Sequence, residues 1–340
     1  MDTSLPETYK AVIGKRDGGR GELQDVPMQK PGKNEVLIKV EFAPINPSDM
    51  GTAMGFYPVY PPPNSIPENV PTRVGLEGSG TIVAVGEDCI IKHELGTKVS
   101  FFTLGSWGQY IIVPSERCIP VQPGVSMEQA ACIGNPATCI HLFDLTVKGG
   151  HKAAIQNAAS SALGRMMIRY FKLKGVKLIN IVRKNEYIDE LLKEGADYVL
   201  NQEDEEFPIK LKEIAAKESA TIAFDSIGGD MLGTILWCMP PESEIRLLGA
   251  FSMKPIQASI QDLLFEGKTI KGVWVTRFLQ SLKPDEAHKF FTEIASMIKD
   301  TLKSNIAKKF KLEDFQAALK AYKELSGKGK ILLCPWGNVE

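Results

Sequence analysis

A run of small residues from Asn157 to Gly164 has the composition of a phosphate-binding turn. It reads Asn-Ala-Ala-Ser-Ser-Ala-Leu-Gly, so Ala159 and Ser161 stand where a G-x-G-x-x-G turn has its first two glycines. Small side chains still let a phosphate approach the backbone, and the hydroxyls of Ser160 and Ser161 can donate to it. The segment predicts a pyrophosphate-binding turn, with an ordinary strand–turn–helix as the alternative.

Two cations follow the next apolar segment of the chain. Arg183 and Lys184 come directly after Leu-Ile-Asn-Ile-Val at 178–182. NAD-binding proteins place an acid at this point to hold the ribose 2′-hydroxyl, and an acid would repel a 2′-phosphate. The two cations therefore favour NADPH over NADH as a cofactor, the alternative being solvated basic residues in a turn.

Glycines end two later apolar segments. Gly228 follows the segment 221–225, and Gly249 follows Leu248. Glycine lets a backbone pass close to a ligand, and it is equally common in plain turns. Gly228 and Gly249 are therefore candidate cofactor contacts, with glycine turns as the alternative.

Alternating strands and helices must position these segments. Strands are predicted near 151–157, 178–182, 198–200 and 221–225, with amphipathic helices between them. Such alternation is typical of a doubly wound parallel sheet, an α/β Rossmann fold. We predict this domain over residues 126–299.

The first third of the chain has the pattern of β-structure. Apolar and polar residues alternate over 35–42, and Gly/Pro/Asn-rich turns flank the strand candidates. Three consecutive prolines at 61–63 exclude a helix interior or a central strand, so the segment 57–71 is predicted to be an ordered surface loop or a lid. We predict a β domain over 1–125, completed by residues 300–340.

The composition excludes several classes of protein. A chain of 340 residues is long enough for two domains, and its net charge of −1 lacks the basic surplus of a nucleic-acid binder. No apolar run is long enough for a membrane span. The first residues resemble neither a secretory signal nor a transit peptide. We expect a cytoplasmic location, with a mitochondrial one as the alternative.

Cysteine and histidine spacing gives no metal-binding pattern. The six cysteines form no CxxC pair and fit neither a disulfide framework nor a zinc ribbon. Most are flanked by apolar residues, so we expect buried, inert thiols. The four histidines share no ligand spacing.

Several short motifs, taken together and in their order along the chain, resemble those of a known protein family. They occupy residues 35–40, 46–49, 55–58, 75–80, 105–110, 135–138 and 156–159. The sequence resembles the medium-chain dehydrogenase/reductase superfamily, and most closely its zinc-free branches, which are quinone oxidoreductase-like and mitochondrial 2-enoyl thioester reductase-like. The resemblance implies that the β domain is GroES-like, that the active site lies in a cleft between the domains, and that the chain forms a homodimer.

The resemblance also implies that the catalytic zinc of other branches is absent. The positions of a cysteine and a histidine ligand are taken by Asn46 and Leu76, which cannot supply a thiolate and an imidazole. The structural-zinc loop retains only Cys89. We therefore expect no metal, and we expect Glu77 to be structural.

Three residues acquire candidate roles from the resemblance. Tyr57 matches a tyrosine that donates a proton in enoyl thioester reductases, its alternative being packing under the proline-rich loop. Asn46 matches an asparagine beside the nicotinamide ribose, with an Asx-turn as the alternative. Thr138 matches a threonine that binds the cofactor near the nicotinamide, with capping of a helix from Cys139 as the alternative.

Two tryptophans are further candidates. Trp107 is a candidate wall of the substrate site, and a core tryptophan is the alternative. Trp274, followed by Arg277, matches a segment that approaches the cofactor in relatives.

The sequence thus predicts a zinc-independent, NADPH-dependent reductase of quinones or α,β-unsaturated carbonyl compounds. A trans-2-enoyl-thioester reductase of fatty-acid synthesis is the alternative. The two missing glycines of the turn leave a third hypothesis open, a catalytically silent structural or interaction subunit with a reductase fold.

Overall fold

The computed structural model describes residues 5–15, 19, 21–55, 72–325 and 327–339. Two compact units are formed, one by Met1–Gly134 with Leu282–Glu340 and the other by Asn135–Ser281. The strands of the described residues are, in chain order, β1 (Thr8–Gly14), β2 (Glu22–Pro27), β3 (Glu35–Pro44), β4 (Thr72–Arg73), β5 (Glu77–Val85), β6 (Lys98–Phe102), β7 (Tyr110–Pro114), β8 (Cys118–Pro120), β9 (Ala153–Gln156), β10 (Lys177–Val182), β11 (Tyr198–Asn201), β12 (Ala220–Asp225), β13 (Glu244–Leu247), β14 (Thr269–Gly272), β15 (Ile306–Lys311) and β16 (Lys330–Cys334).

The α-helices of the same residues lie between and after these strands. They are α1 (Pro47–Ala53), α2 (Met127–Ala130), α3 (Gly134–Lys148), α4 (Ala162–Leu173), α5 (Glu186–Lys193), α6 (Phe207–Glu218), α7 (Asp230–Cys238), α8 (Val275–Ser281), α9 (Pro284–Met297) and α10 (Phe315–Glu324). Two short 3-10 helices, Ser115–Arg117 and Leu312–Asp314, and one π-helical turn, Gln261–Phe265, complete the described elements.

The first unit contains two sheets, of which the larger is built around β3. The strand order is β15-β16-β3-β5-β6-β8, and β7 also pairs with β3. Alternate residues of β3, namely Val36, Ile38 and Val40, are buried in one core cluster because side chains along a strand alternate between faces. Leu333 of β16 pairs with Ala43, so the C-terminal strands complete the sheet that the first third of the chain begins.

Helix α9 belongs to the first unit, although its sequence lies inside the stretch 126–299 that we predicted as the Rossmann domain. Its residues Phe291 and Ile294 are buried and, together with Ile119 of β8, line a small cavity. The division of the chain at Gly134 and Leu282 therefore differs from the predicted boundaries, because an amphipathic helix has the same pattern whichever sheet it packs on.

The second unit is a six-stranded parallel sheet with the order β11-β10-β9-β12-β13-β14. This is the doubly wound order, in which the strand sequence reverses between β9 and β12. The predicted Rossmann sheet is confirmed. Its helix α4 follows the predicted spacing, since Met166, Met167, Tyr170 and Phe171 are buried on one face.

The described cysteines are free thiols, all of them buried except the half-buried Cys89. Burial raises the pKa of Cys132 to about 12 and that of Cys334 to about 11, which keeps both protonated near neutral pH. The expectation that most of the thiols are buried is confirmed, and their lack of reactivity stays a prediction. The described part of the chain contains no group of three or more His, Cys, Asp or Glu side chains that could hold a metal ion.

Among the described residues, no helix is long and apolar enough to cross a bilayer.

Candidate functional site

The turn between β9 and α4 is built from the small residues that the sequence indicated. Ala158 has a positive φ of 50°, and its carbonyl accepts a hydrogen bond from the N–H of Ser161 at 2.9 Å. The hydroxyl of Ser161 caps the helix by accepting from the N–H of Gly164 at 3.1 Å. A Cβ on Gly164 would come within 2.5 Å of the carbonyl oxygen of Ala159, so the last glycine of the turn permits this close packing.

Three backbone N–H groups of this turn are available to a ligand. Those of Ser160, Ala162 and Leu163 have no acceptor among the residues that the structure describes. They lie at the N-terminus of the 12-residue helix α4, where the partial positive charge of the helix favours an anion. The turn therefore fits the pyrophosphate of a dinucleotide.

The side chain of Asn157 and the backbone of Ala159 hold the turn to the neighbouring strands. Asn157 is buried, its amide nitrogen donates to Asp225, and its amide oxygen accepts from the N–H of Ser226 at 2.8 Å. Ala159 is fully buried, and its N–H donates to the carbonyl of Ile181 at 3.1 Å. These bonds give both residues a structural role, and their contact with a cofactor stays a prediction.

Asp225 is a residue of this site that the sequence analysis did not select. Its buried carboxylate accepts from the amide of Asn157 and from the N–H groups of Ile227 at 2.8 Å and Gly228 at 3.1 Å. It thereby fixes the loop after β12, in which Gly228 has a φ of 69°. A lone aspartate at a strand end gives no sequence signal for such a network.

Gly249 lies beside the same loop, after β13. A Cβ on Gly249 would come within 2.7 Å of the carbonyl oxygen of Ser226. Both candidate glycines are thus required by their own backbone surroundings, Gly228 by its positive φ and Gly249 by close packing.

Arg183 is an exposed cation at the end of β10, and no described side chain pairs with it. Its neighbour Lys184 is also exposed and lies 3.3 Å from the carboxylate of Glu186. Because β10 adjoins β9 in the sheet, the ends of both strands lie on the same edge. Arg183 is therefore the better of the two candidates for holding an additional phosphate.

The two remaining candidates of the second unit lie on or beside helices. Thr138 is inside α3, which begins at Gly134, so the alternative that Thr138 caps a helix from Cys139 is wrong. Trp274 is partly buried just before α8, and its carbonyl accepts from the N–H of the exposed Arg277 at 3.0 Å.

In the first unit, Asn46 precedes α1 and its side chain lies in a polar network. Its amide nitrogen donates to Oε1 of Glu77 at 2.8 Å, and Nζ of Lys330 donates to its amide oxygen. Glu77 and Lys330 are buried, whereas Asn46 is partly exposed. Glu77 also accepts from the N–H of Gly134, so its carboxylate holds several groups in place, and Lys330 is a member of the network that the sequence analysis missed.

Asp49 is a second carboxyl group next to this network. One of its oxygens accepts from the backbone N–H of Asn46 at 2.8 Å, and the other has no hydrogen-bond partner among the described residues. Burial raises the pKa of Asp49 to about 7, with a further contribution from the nearby carboxyl group of Glu77.

Trp107 occupies a core position. Its side chain has no exposed surface, and its indole N–H donates to the carbonyl of Pro44 at 3.1 Å. A side chain without exposed surface does not line a substrate site, so the alternative of a core tryptophan describes it and we do not assign it a substrate contact. Tyr57, the candidate proton donor, lies outside the described residues.

Two domain families match the chain. Residues 32–123 match the family described as alcohol dehydrogenase GroES-like domain, and residues 162–294 match the family described as zinc-binding dehydrogenase. The first match lies in the first unit and most of the second lies in the Rossmann unit.

Curated proteins and solved structures resemble the chain over most of its length. The mitochondrial enoyl-[acyl-carrier-protein] reductase of Caenorhabditis elegans is 30% identical over 301 residues, which cover 85% of this chain and 83% of that protein. A Mesorhizobium loti structure, provisionally assigned as an NADPH:quinone reductase, is 28% identical with a TM-score of 0.84 and covers 98% of this chain and 100% of its own.

A third similar protein was solved with a cofactor. Escherichia coli quinone oxidoreductase complexed with NADPH has a TM-score of 0.80 at 22% identity, and the match covers 96% of this chain and 100% of that one. At that identity the likeness concerns the fold. The nematode match and the two family models show that the chain belongs to the medium-chain dehydrogenase/reductase superfamily, in its zinc-free branch.

Proposed function

We propose that this protein reduces electron-poor double bonds, in α,β-unsaturated carbonyl compounds or quinones, with NADPH and without zinc. NADPH, when bound, supplies the hydride. The free N–H groups of Ser160, Ala162 and Leu163 are proposed to bind the pyrophosphate, because they are the unpaired donors at the start of α4. Arg183 is proposed to bind the 2′-phosphate, because it is exposed and no described side chain neutralises it.

The observation that carries the zinc-independent chemistry is the setting of Asn46. Zinc-using relatives have a metal ligand at this position, whereas here an amide is held between Glu77 and Lys330. An amide N–H can stabilise charge that develops on a carbonyl oxygen, or it can orient the cofactor, by donating a hydrogen bond. Reduction of an already polarised double bond needs no stronger Lewis acid than such a donor. Tyr57 is proposed as the proton donor to the reduced substrate.

Among substrates, we propose 2-enoyl thioesters first. The support is the 30% identity to an enoyl-[acyl-carrier-protein] reductase across 83% of that protein's length. The specific observation in favour of quinones is the 28% identity to the Mesorhizobium loti protein, in a match that covers 98% of this chain and 100% of that one. Both substrate classes present a conjugated carbonyl to the hydride, so the same site chemistry serves either.

The experiment is a direct comparison of acceptors. Purified protein is mixed with NADPH and either a short 2-enoyl-CoA or a small quinone, and the loss of NADPH absorbance is followed. The expected result is turnover with the enoyl thioester at a higher kcat/KM than with the quinone. Turnover with the quinone alone would support the proposed reductase activity but would show that quinones, and not enoyl thioesters, are its substrates.

A cofactor titration separates these proposals from the silent-subunit hypothesis. NADPH at 100 times its dissociation constant should stabilise the folded protein by about 2.7 kcal/mol. A thermal unfolding midpoint that stays unchanged at millimolar NADPH would exclude the reductase and favour an interaction protein.

We also propose that the protein is a homodimer that pairs through the Rossmann unit. Strand β14 is the last strand of its sheet, and the segment before it carries exposed apolar side chains, including Met253 (75% exposed), Ile260 (73%) and Phe265 (72%). A sheet edge flanked by apolar residues is a surface that a second copy can cover by antiparallel pairing about a two-fold axis. Light scattering of the native protein should give the mass of two chains, and light scattering of Phe265→Glu should give the mass of one chain.

The cellular location stays a prediction, either cytoplasmic or mitochondrial. The nematode relative carries the word mitochondrial in its name, which favours the second. A fluorescent tag on the C-terminus, which leaves the N-terminus unchanged, distinguishes the two by microscopy.

A further inference from the structure

Lys330 is a buried lysine that bonds to the proposed active-site asparagine from the far end of the chain. It begins β16, has 5% of its surface exposed, and donates from Nζ to the amide oxygen of Asn46, 284 positions away in sequence. The same Nζ lies 3.8 Å from Oε1 of Glu77. Lys330 therefore contacts both ends of the Asn46–Glu77 pair.

These two partners fix the orientation of the Asn46 amide. A lysine ammonium group has only donors, and a glutamate carboxylate has only acceptors. The amide oxygen of Asn46 must therefore face Lys330, and the amide nitrogen must face Glu77. The nitrogen carries two hydrogens and Glu77 takes one, whereas none of the hydrogen bonds of the described residues takes the second, which lies close enough to the carboxyl group of Asp49 to lower the pKa of that group. Asn46 can offer a donor to a ligand, and it is held in that state.

Stability alone does not explain such a buried pair. Replacing a buried ion pair with well-packed apolar side chains is often neutral or stabilising, because desolvation of the charges is costly. Glu77 is 1% exposed and Lys330 5%, so this cost applies to both. The partly exposed member of the network is Asn46, which is also the member with an available N–H.

We infer that Lys330 is a positioning residue for the proposed reaction, one that holds the Asn46 amide with its free N–H as a donor to cofactor or substrate. This inference rests on the proposed function. Lys330 acts through Asn46 and does not itself touch the reacting atoms. Removing Lys330 would leave the amide oxygen without its donor, so that Glu77 alone would hold the amide and the second N–H would be less firmly oriented.

A double-mutant cycle tests this. The variants are Lys330→Met, Asn46→Ala and the two combined, and the measured quantities are kcat, KM, the dissociation constant of NADPH and the unfolding midpoint. Lys330→Met should lower kcat/KM about tenfold in the native background and should have no further effect once Asn46 is alanine. If the N–H faces the cofactor, Lys330→Met should change the NADPH dissociation constant only while Asn46 is present. If the N–H faces the substrate, it should change kcat only while Asn46 is present.

Lys268→Met is the matched control. Lys268 is another buried lysine, bonded to Asp262 at 2.8 Å in the other unit, so its loss costs stability without reaching Asn46. Its effect on kcat/KM, of whatever size, should be the same with and without Asn46→Ala.

Two outcomes overturn the inference. One is a Lys330→Met effect of equal size in both backgrounds, which would make Lys330 a purely structural residue. The other is a Lys330→Met protein with native kcat, KM and NADPH affinity. If the single variant does not fold, Lys330→Met with Glu77→Gln removes both charges, and the cycle is repeated from that background. If the native protein binds NADPH but reduces no acceptor, the proposed function is refuted. The double-mutant cycle, measured in the dissociation constant of NADPH, then still tests Lys330. Native protein that fails to bind NADPH refutes both.

Discussion

The side-chain amide of Asn157 donates to the carboxylate of Asp225, which joins the end of β9 to the end of β12. These two strands are neighbours at the point where the strand order reverses, and that reversal opens the crevice in which dinucleotides bind in doubly wound folds. The hydrogen bond therefore fixes the two loops that border the proposed cofactor site.

Asp225→Ala should destabilise the protein by about 3 kcal/mol, because it leaves buried N–H donors and the Asn157 amide without their acceptor. Urea denaturation measures this change in the free energy of unfolding. Asp230→Ala is the control, since Asp230 begins α7 in the same loop region but its carboxylate is 70% exposed. Equal losses in the two variants would contradict a special role for the Asn157–Asp225 bond.

Arg183→Ala should weaken NADPH binding about tenfold and leave NADH binding unchanged, because only NADPH carries the 2′-phosphate that this cation is proposed to bind. Fluorescence titration gives both dissociation constants. Lys184→Ala should have a smaller effect, since Lys184 is already beside Glu186. Equal weakening of NADPH binding and NADH binding would show that Arg183 does not contact the 2′-phosphate.

Gly164→Ala should destabilise the protein by roughly 1–3 kcal/mol, although alanine normally favours a helix. The reason is the 2.5 Å approach of the new Cβ to the carbonyl oxygen of Ala159. Gly272→Ala is the control, because no atom lies within 4 Å of its added Cβ. Thermal unfolding of both variants checks the difference, and a stabilised Gly164→Ala protein would refute the tight turn.

Asp49 should make the stability of the protein depend on pH. Its pKa is raised to about 7 in the folded state from the model-peptide value of 3.8, so the folded state holds a proton that the unfolded state releases. The contribution of Asp49 to stability is therefore full below about pH 4 and is lost as pH rises toward 7, with a slope of at most about 1.4 kcal/mol per pH unit. Besides burial, the groups that act on its pKa are Glu77, which raises it, and Asn46 and Lys330, which lower it.

Urea denaturation between pH 5 and pH 8 measures this slope. In Asp49→Asn the fall in stability over that interval should be smaller than in the native protein, since the amide does not titrate. Identical pH profiles for the two proteins would show that Asp49 is not the group responsible.

Tyr57→Phe should slow enoyl thioester reduction by about 10²-fold, because phenylalanine has no proton to donate. The binding of NADPH should be unchanged, which separates a catalytic loss from a folding defect. Steady-state kinetics and a fluorescence titration on the same preparation give both quantities. A native rate would remove Tyr57 from the mechanism.

The sequence by itself determined the Rossmann sheet and much of its turn. Helix α4, strands β10 and β16 and the small residues 157–164 all have local patterns, since helical and strand periodicity and turn composition are properties of neighbouring residues. Arg183 and Lys184 could be selected as candidate cofactor contacts for the same reason, since they directly follow a predicted strand.

Only the tertiary structure decided which distant residues meet. Lys330 reaches Asn46 from 284 positions away, and Asp225 reaches Asn157 from 68 positions away. Trp107 lies directly against Gly75 and donates to the carbonyl of Pro44. Helix α9 packs in the first unit, whereas its amphipathic pattern would have suited either sheet. Periodicity states that a face will be buried, but the partner that buries it, or that satisfies a buried polar atom, is fixed by the packing of the whole chain.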